Sequence, residues 1–384
     1  MNKTIITKKQ ARRFILLKQG LYGEKKFIDK NGIYEFVKQA GCIQFDPIDV
    51  CGKNHELVLQ SRISGFKVRF LYELLYKDRL LMDWFDKNMS ICLVEDWPYF
   101  SHERELAKKS SRSKADVDKV AESVLDYIKE KGPVCSADLE YNNKVDWSWA
   151  PTSLSRAVLD TLYYRGNLVI SHKKNTRKYY DLASRYINKK LLNDLNPNRT
   201  NEEIYQWHIL RRIGSVGMLH NNASYAFIGI DGMKSKERNN AFETLLSCGL
   251  IKEIIVDGIK KPFYYKTVDN HILQKVINDE KKSERIEFIA PLDNVLWDRK
   301  LIEEIFGFSY KWEIYTPIKN RKYGYYVLPI LKDDTFIGRI ELVRNKIQKC
   351  FDIVNIWWEN PKYDTEENYK KTQIHLKHFS DMMF

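Results

Sequence analysis

The sequence predicts an α+β chain in which tandem winged-helix domains, a helix-turn-helix variant, precede a small C-terminal β-barrel-like domain. Two observations carry that expectation. The order helix, short helix, helix, β-hairpin occurs over residues 113–192 and recurs over 193–283. From Glu284 the apolar residues cease to follow a helical spacing and alternate in short runs broken by Pro, Gly and Asp. A hydrophobic content of 43% in 384 residues, 13% of them aromatic, supplies enough apolar surface for several cores and rules out global disorder.

Taken in order, Thr7 reads as the N-cap of a helix through ARRFILLKQGL, with Gly20 or Gly23 as its stop. IYEFVKQAG places Ile33, Phe36, Val37 and Ala40 at helical spacing, and Gly41 ends it. LVLQSRI and VRFLYELLYKDRLLMDWF read as further helix, closing an N-terminal winged-helix-like domain at residue 112. In the second domain, 113–192, DVDKVAESVLDYIKEKG is an amphipathic helix, SADLE a short one, and TSLSRAVLDTLYYRG a third with Thr152 as its cap. NLVISHKKNTRKYYDL completes it as two strands around a basic tip. The third domain, 193–283, has helices at EEIYQWHILRRIG and KERNNAFETLLSCGL, a short element near ASYAFIGI, and a hairpin in LIKEIIVDGIKKPFYYKT turning at Asp257-Gly258. In the β-rich domain, 284–360, the expected strands are IEFIAPLDNVLW, KWEIYTPI, YGYYVLPIL, FIGRIEL and FDIVNIWWE, with KNRKYG as a second basic hairpin tip. A helix over 361–384 ends the chain.

Charge and composition narrow the function. Lys and Arg number 64 against 51 Asp and Glu, a net charge of +13 that favours polyanionic partners. The six cysteines contain no C-x-x-C pair, so neither a zinc site nor a disulfide framework is expected. His375 and His378 lie one turn apart with no third ligand nearby, and read as structural. No apolar run is long enough to span a bilayer. A monomeric, cytoplasmic, nucleoid-associated protein without cofactor or metal is the expectation.

One short stretch stands apart. In CIQFDPID, Pro47 pushes Asp46 toward extended backbone. Two apart on an extended chain, Gln44 and Asp46 project to one side and Phe45 to the other. Read alone, these residues fit a polar turn; the alternative is a carboxylate and an amide sharing one space.

QFDPID after ARRFILLKQGL, followed by HELVLQSR, LLYKDRLLMDW and EDWPYF, resembles the N-terminal half of the AlkZ-like (YcaQ-type) DNA glycosylases. APLDNVLWDRK, EEIFGFSYKWEIYTP, KYGYYVLPIL and GRIEL are similar to the family's C-terminal signature, so the resemblance covers nearly the whole chain. It implies a C-shaped body around duplex DNA and excision of N-alkylated purines, notably N7-alkylguanine, with interstrand-crosslink unhooking in some members. Gln44-Phe45-Asp46 matches the branch with a Gln-hydrophobic-Asp motif.

The resemblance implies a monofunctional glycosylase in which Asp46 stabilises an oxocarbenium-like sugar and activates water while Gln44 orients that water. Asp49 falls outside the catalytic pair, and Asn54 and His55 are pocket candidates. Where many relatives carry a histidine two residues after a tryptophan, this chain has Trp84-Phe85-Asp86, a carboxylate expected to repel phosphate if it faces DNA. Candidate DNA contacts are Lys173, Lys174, Arg177 and Lys178 on one basic tip, Arg156 on the helix before it, and Lys319, Arg321, Lys322 and Tyr323 on the other. The partner is double-stranded DNA carrying alkylated or crosslinked bases. A non-catalytic winged-helix regulator also explains the charge and the repeated elements, but gives no reason for Gln44 and Asp46 to share a face.

Overall fold

The computed structural model describes residues 4–278 and 283–384; residues 279–282, at the end of the expected third domain, lie outside the described residues. The chain forms two compact units. The first takes in the chain up to Tyr72, Trp84–Cys92 and Thr200–Phe384; the second takes in Glu73–Asp83 and Leu93–Arg199. Residues 73–83 and 93–112 therefore pack with the second unit, although the sequence groups them with the N-terminal domain.

In the first unit, Thr7 caps the Lys8–Gln19 helix reciprocally: its hydroxyl accepts from the Gln10 N–H, and the Gln10 side chain accepts from the Thr7 N–H at 2.9 Å. Gly20, at φ +71°, supplies the left-handed stop. The Asp29–Ala40 helix buries Ile33, Phe36, Val37 and Ala40 as expected, and Gly41 ends it. The chain then enters the buried strand Cys42–Gln44, which pairs antiparallel with Asn88–Leu93 so that Cys42 opposes Cys92 and Gln44 opposes Ser90.

The helix expected through LLMDWF is a correction. The Val68–Tyr76 helix stops before Arg79, which sits at φ +56°, and Leu81–Asp86 is a strand beside Asn88–Leu93. Asn88, also left-handed at φ +57°, makes the turn between these two strands. Leu, Met, Trp and Phe suit either structure, and the left-handed residues on both sides decide for the strand.

The Asn201–Val216 helix opens on a Thr200/Glu203 capping box. Ser235–Ser247 follows, then strands Ile251–Val256 and Phe263–Lys266, antiparallel, with Gly258 at φ +76° in the connection. Further on, Ile286–Phe288, Val327–Lys332, Thr335–Asn345 and Cys350–Trp358 form an antiparallel sheet in chain order, a linear meander in place of the expected barrel-like closure. The Glu366–Met383 helix packs against this sheet, with Phe379 against Phe288 and Phe351.

KWEIYTPI is not a strand and KNRKYG is not a hairpin tip. The stretch is irregular, with one 3₁₀ turn at Ile318–Asn320. Its alternation misleads because Glu313 is buried and accepts the backbone N–H groups of Lys322 and Tyr323 at 3.0 and 2.9 Å, closing a loop where a strand would need a neighbour.

In the second unit, the Lys114–Lys131 helix, a 3₁₀ turn at Ser136–Asp138 and the Leu154–Tyr164 helix precede a hairpin of Leu168–Lys174 and Arg177–Leu182. Ser153, not Thr152, caps the third helix; Thr152 pairs with Val145 in a two-residue ladder.

Candidate active site and candidate nucleic-acid contacts

Gln44 ends its strand with its side chain inside the first unit, 7% exposed. Its Oε1 accepts from Lys87 Nζ at 3.2 Å, and its backbone carbonyl accepts from Asn54 Nδ2 at 2.8 Å. Phe45 continues the ladder, its N–H donating to the Met89 carbonyl at 2.9 Å. Asp46 lies one residue beyond, half-buried, with Oδ1 accepting the Ile48 N–H at 2.9 Å across Pro47. Burial raises the Asp46 pKa above the usual carboxylate value, and the Ile48 N–H partly opposes this. A carboxylate so placed is a stronger proton acceptor than one in water.

Asn54 and His55, expected to line a pocket, lie fully buried beneath this strand. Asn54 spends its donor on Gln44 and its acceptor on the Leu292 N–H at 2.9 Å. His55 stacks on Phe45 at 4.7 Å between ring centroids and meets Tyr72 edge-on. Both support the strand from the side away from solvent. Asp49, exposed, pairs with Arg344 at 2.8 Å and so belongs to the loop's anchorage.

The segment that includes APLDNVLW buttresses the same strand from 250 residues downstream in the sequence. Asn294 Nδ2 donates to the Cys42 carbonyl at 2.9 Å, Leu292 N–H meets Asn54, and the Trp297 ring lies 4.9 Å from Lys87 Nζ. Asp293 holds Arg62 through bonds of 2.7 and 2.8 Å, with both side chains fully buried. Sequence reasoning missed Lys87 and Trp297 as neighbours of the motif; no periodicity or spacing marks either.

Asp86 does not present its charge to solvent, which corrects the expectation of phosphate repulsion. It is buried and accepts from Arg211 Nε at 3.0 Å and Nη2 at 2.9 Å, pairs with Arg212, and has His208 within 3.9 Å. Burial alone would raise its pKa; Arg212, Arg211 and His208 overcome that and hold it below the usual range.

In the second unit the basic hairpin places Lys174 opposite Arg177 and Lys173 opposite Lys178. Like charges facing across strands repel, and the inner pair is relieved by carboxylates. Lys173 Nζ lies 2.5 Å from Asp83, largely buried, so it is not an exposed phosphate contact as expected. Lys178 lies 4.0 Å from Asp160, with its pKa lowered by burial. Lys174 and Arg177 are exposed. Arg156, also exposed, joins Arg177 and Lys178 around a cleft of about 380 Å³ floored by Asp160 and Tyr180. In the first unit Lys319 and Lys322 are exposed on the Glu313-braced loop, Arg321 is tied to the Thr316 carbonyl at 2.8 Å, and Tyr323 packs under the Arg339 guanidinium.

His375 is buried against Phe288 and Glu287, and burial pushes its pKa down to about 4. Among the described residues no cluster of His, Cys, Asp and Glu is arranged to hold a metal ion, and no helix is long and apolar enough to cross a membrane.

A family model described as DNA glycosylase AlkZ-like matches residues 37–370. Among solved structures, the chain is similar to Streptomyces sahachiroi DNA glycosylase AlkZ, with a TM-score of 0.63 at 16% identity over 99% of this chain and 98% of that one. At that identity the likeness is one of fold.

Proposed function

The chain belongs to the AlkZ-like DNA glycosylases and is a DNA N-glycosylase, and from that premise we propose that it hydrolyses the N-glycosidic bond of alkylated purines, N7-alkylguanine above all, and unhooks interstrand crosslinks made through the same position. The observation that carries the reading is the placement of Gln44 and Asp46 at the end of one braced strand, with Gln44 held by Lys87 and Asn54, and Asp46 half-buried with a raised pKa.

Alkylation at N7 places positive charge on guanine, so the base leaves without a general acid. The sugar passes through an oxocarbenium-like state. The Asp46 carboxylate stabilises that developing cation and accepts a proton from the attacking water. Gln44 orients the water without adding charge.

DNA engagement, in this proposal, falls to winged helices at 113–192 and 193–283. The order of elements supports it: Lys114–Lys131, Ser136–Asp138, Leu154–Tyr164 and the basic hairpin in one, and Asn201–Val216, Ser235–Ser247 and the Ile251–Lys266 hairpin in the other. Exposed Lys174, Arg177 and Arg156 would meet phosphate, as would Lys319 and Lys322 on the loop of the β-rich domain.

The test is release of base from a duplex carrying N7-methylguanine, without added metal, read by alkaline cleavage of the abasic product. Wild type releases the base, and Asp46→Asn retains DNA binding but loses release. Equal release by both proteins removes Asp46 from the mechanism. Binding without release on both alkylated and crosslinked duplexes removes the substrate assignment.

A further inference from the structure

We infer that Lys87 is a positioning residue for the reaction proposed above: its ammonium locks the Gln44 carboxamide in the one orientation that leaves Nε2–H free to direct the attacking water. The inference deepens that reading and rests on it.

The geometry fixes the amide without ambiguity. An ammonium only donates, so the Gln44 atom facing Lys87 Nζ at 3.2 Å must be the carbonyl oxygen, and the amide hydrogens point away from the lysine. The backbone end of Gln44 is held independently by Asn54 and by the ladder to Ser90, and its side chain is buried, so the sense of the amide is a freedom that still has to be fixed. Lys87 removes that freedom. A water held between Gln44 and Asp46 then accepts from Nε2–H through one lone pair, donates one hydrogen to the carboxylate, and keeps its second lone pair for the anomeric carbon. With the amide reversed, Gln44 would compete with Asp46 for the water's hydrogens.

Lys87 is an unusual residue to bury for packing alone. It is 6% exposed, and among the described residues its ammonium has one hydrogen-bond partner, Gln44, and lies 4.9 Å from the Trp297 ring, with no carboxylate in salt-bridge range. Taking an ammonium out of water with so little compensation is costly, and an apolar side chain would fill the same space more cheaply. The charged and titratable groups facing it are Arg212 from the Asn201–Val216 helix and Arg299 from the Arg299–Phe306 helix, which disfavour the ammonium, and Cys42 from the motif strand and neighbouring Asp86, which favour it. Burial is the largest influence, and together these bring the Lys87 pKa down to about 8. Above that pH the neutral amine accepts as readily as it donates, so the amide loses its fixed sense.

The experiment is single-turnover release of N7-methylguanine from duplex DNA, from neutral to mildly alkaline pH, with spontaneous loss subtracted. Wild type slows as pH rises through about 8. Lys87→Met is slower by about 10- to 100-fold, binds DNA as wild type does, and lacks the alkaline decline. Lys87→Arg, a permanent donor, recovers most of the rate and stays active at alkaline pH. If Lys87→Met does not fold, the alkaline limb of Lys87→Arg decides alone: its disappearance supports the assignment, and its persistence overturns it. Lys87→Met at wild-type rate, or with the wild-type alkaline limb intact, also overturns it. So does borohydride trapping of a covalent DNA adduct at Lys87, because an amine acting as nucleophile is not holding Gln44. A wild type that releases no base sinks the substrate reading, and this inference with it. Release by wild type with an indifferent Lys87→Met sinks this inference alone.

Discussion

Replacing Asn54 by alanine tests whether the motif strand is held as described. The side chain makes two bonds, Nδ2 to the Gln44 carbonyl at 2.8 Å and Oδ1 from the Leu292 N–H at 2.9 Å, with no solvent exposure. Truncation leaves a buried acceptor and a buried donor without these partners, at ~1–3 kcal/mol each. The expected loss is therefore ~2–6 kcal/mol, a large fraction of the ~5–15 kcal/mol that stabilises an ordinary domain. Asn54→Asp separates the two bonds. It keeps the acceptor for Leu292 but turns a carboxylate oxygen toward the Gln44 carbonyl, so it should destabilise at least as much as alanine. Urea unfolding followed by tryptophan fluorescence measures both, and base release measured below the unfolding range should fall in both because Gln44 loses its backbone anchor. A loss under ~0.5 kcal/mol in Asn54→Ala, the level of an ordinary surface change, would refute the reasoning, as would an aspartate variant more stable than the alanine one.

Other expectations are as direct. Asp86→Asn leaves Arg211 and Arg212 with a weakened buried partner and should cost ~3–5 kcal/mol in the same unfolding assay, with little change in the salt dependence of DNA binding. Lys174→Gln and Arg177→Gln should each flatten the log-affinity against log-salt slope by about 0.9 in fluorescence anisotropy, whereas Lys173→Gln should lower stability and leave the slope almost unchanged because Asp83 already neutralises that lysine. Base release should fall on acidification. The reaction needs the ionised Asp46, whose pKa is raised by burial, so activity is full above that pKa and is lost as pH drops through it, at a higher pH than for an ordinary carboxylate. A pH profile flat through the acid range would exclude Asp46 as the proton acceptor.

The parts of the fold that were legible in the sequence are those set by local chemistry. The Thr7 cap, the stop at Gly20 (one of the two glycines offered) and at Gly41, and the Asp257-Gly258 turn act within a few residues, and each sits where its sequence places it. Leu81–Asp86 reads as helix in the sequence because its residues suit both structures and the deciding left-handed positions, Arg79 and Asn88, are not glycines. The loop before Val327 reads as a strand in the sequence because a buried Glu313 gathering backbone N–H groups leaves no mark on the alternation. The site divides in the same way. Gln44 and Asp46 are visible as a pattern around Pro47, but the groups that brace the strand and its neighbour come from far along the chain: Arg211 meets Asp86 across 125 residues, and Asn294 meets Cys42 across 252. Such pairings exist only once the chain has folded, and single-sequence periodicity carries no trace of them.

The first unit is assembled from stretches on either side of Leu93–Arg199, so its motif strand waits for partners such as Leu292, Asn294 and Trp297 that are synthesised long after it. Closing a loop of that length adds little entropy beyond a shorter one, because the cost rises only with the logarithm of length. The Leu93–Arg199 segment can therefore be lengthened at little entropic cost to the first unit, as long as the points at which the chain passes between the two units, on either side of Glu73–Asp83 and of Leu93–Arg199, are kept. The cost of the arrangement is kinetic: contacts between residues so distant in sequence slow folding.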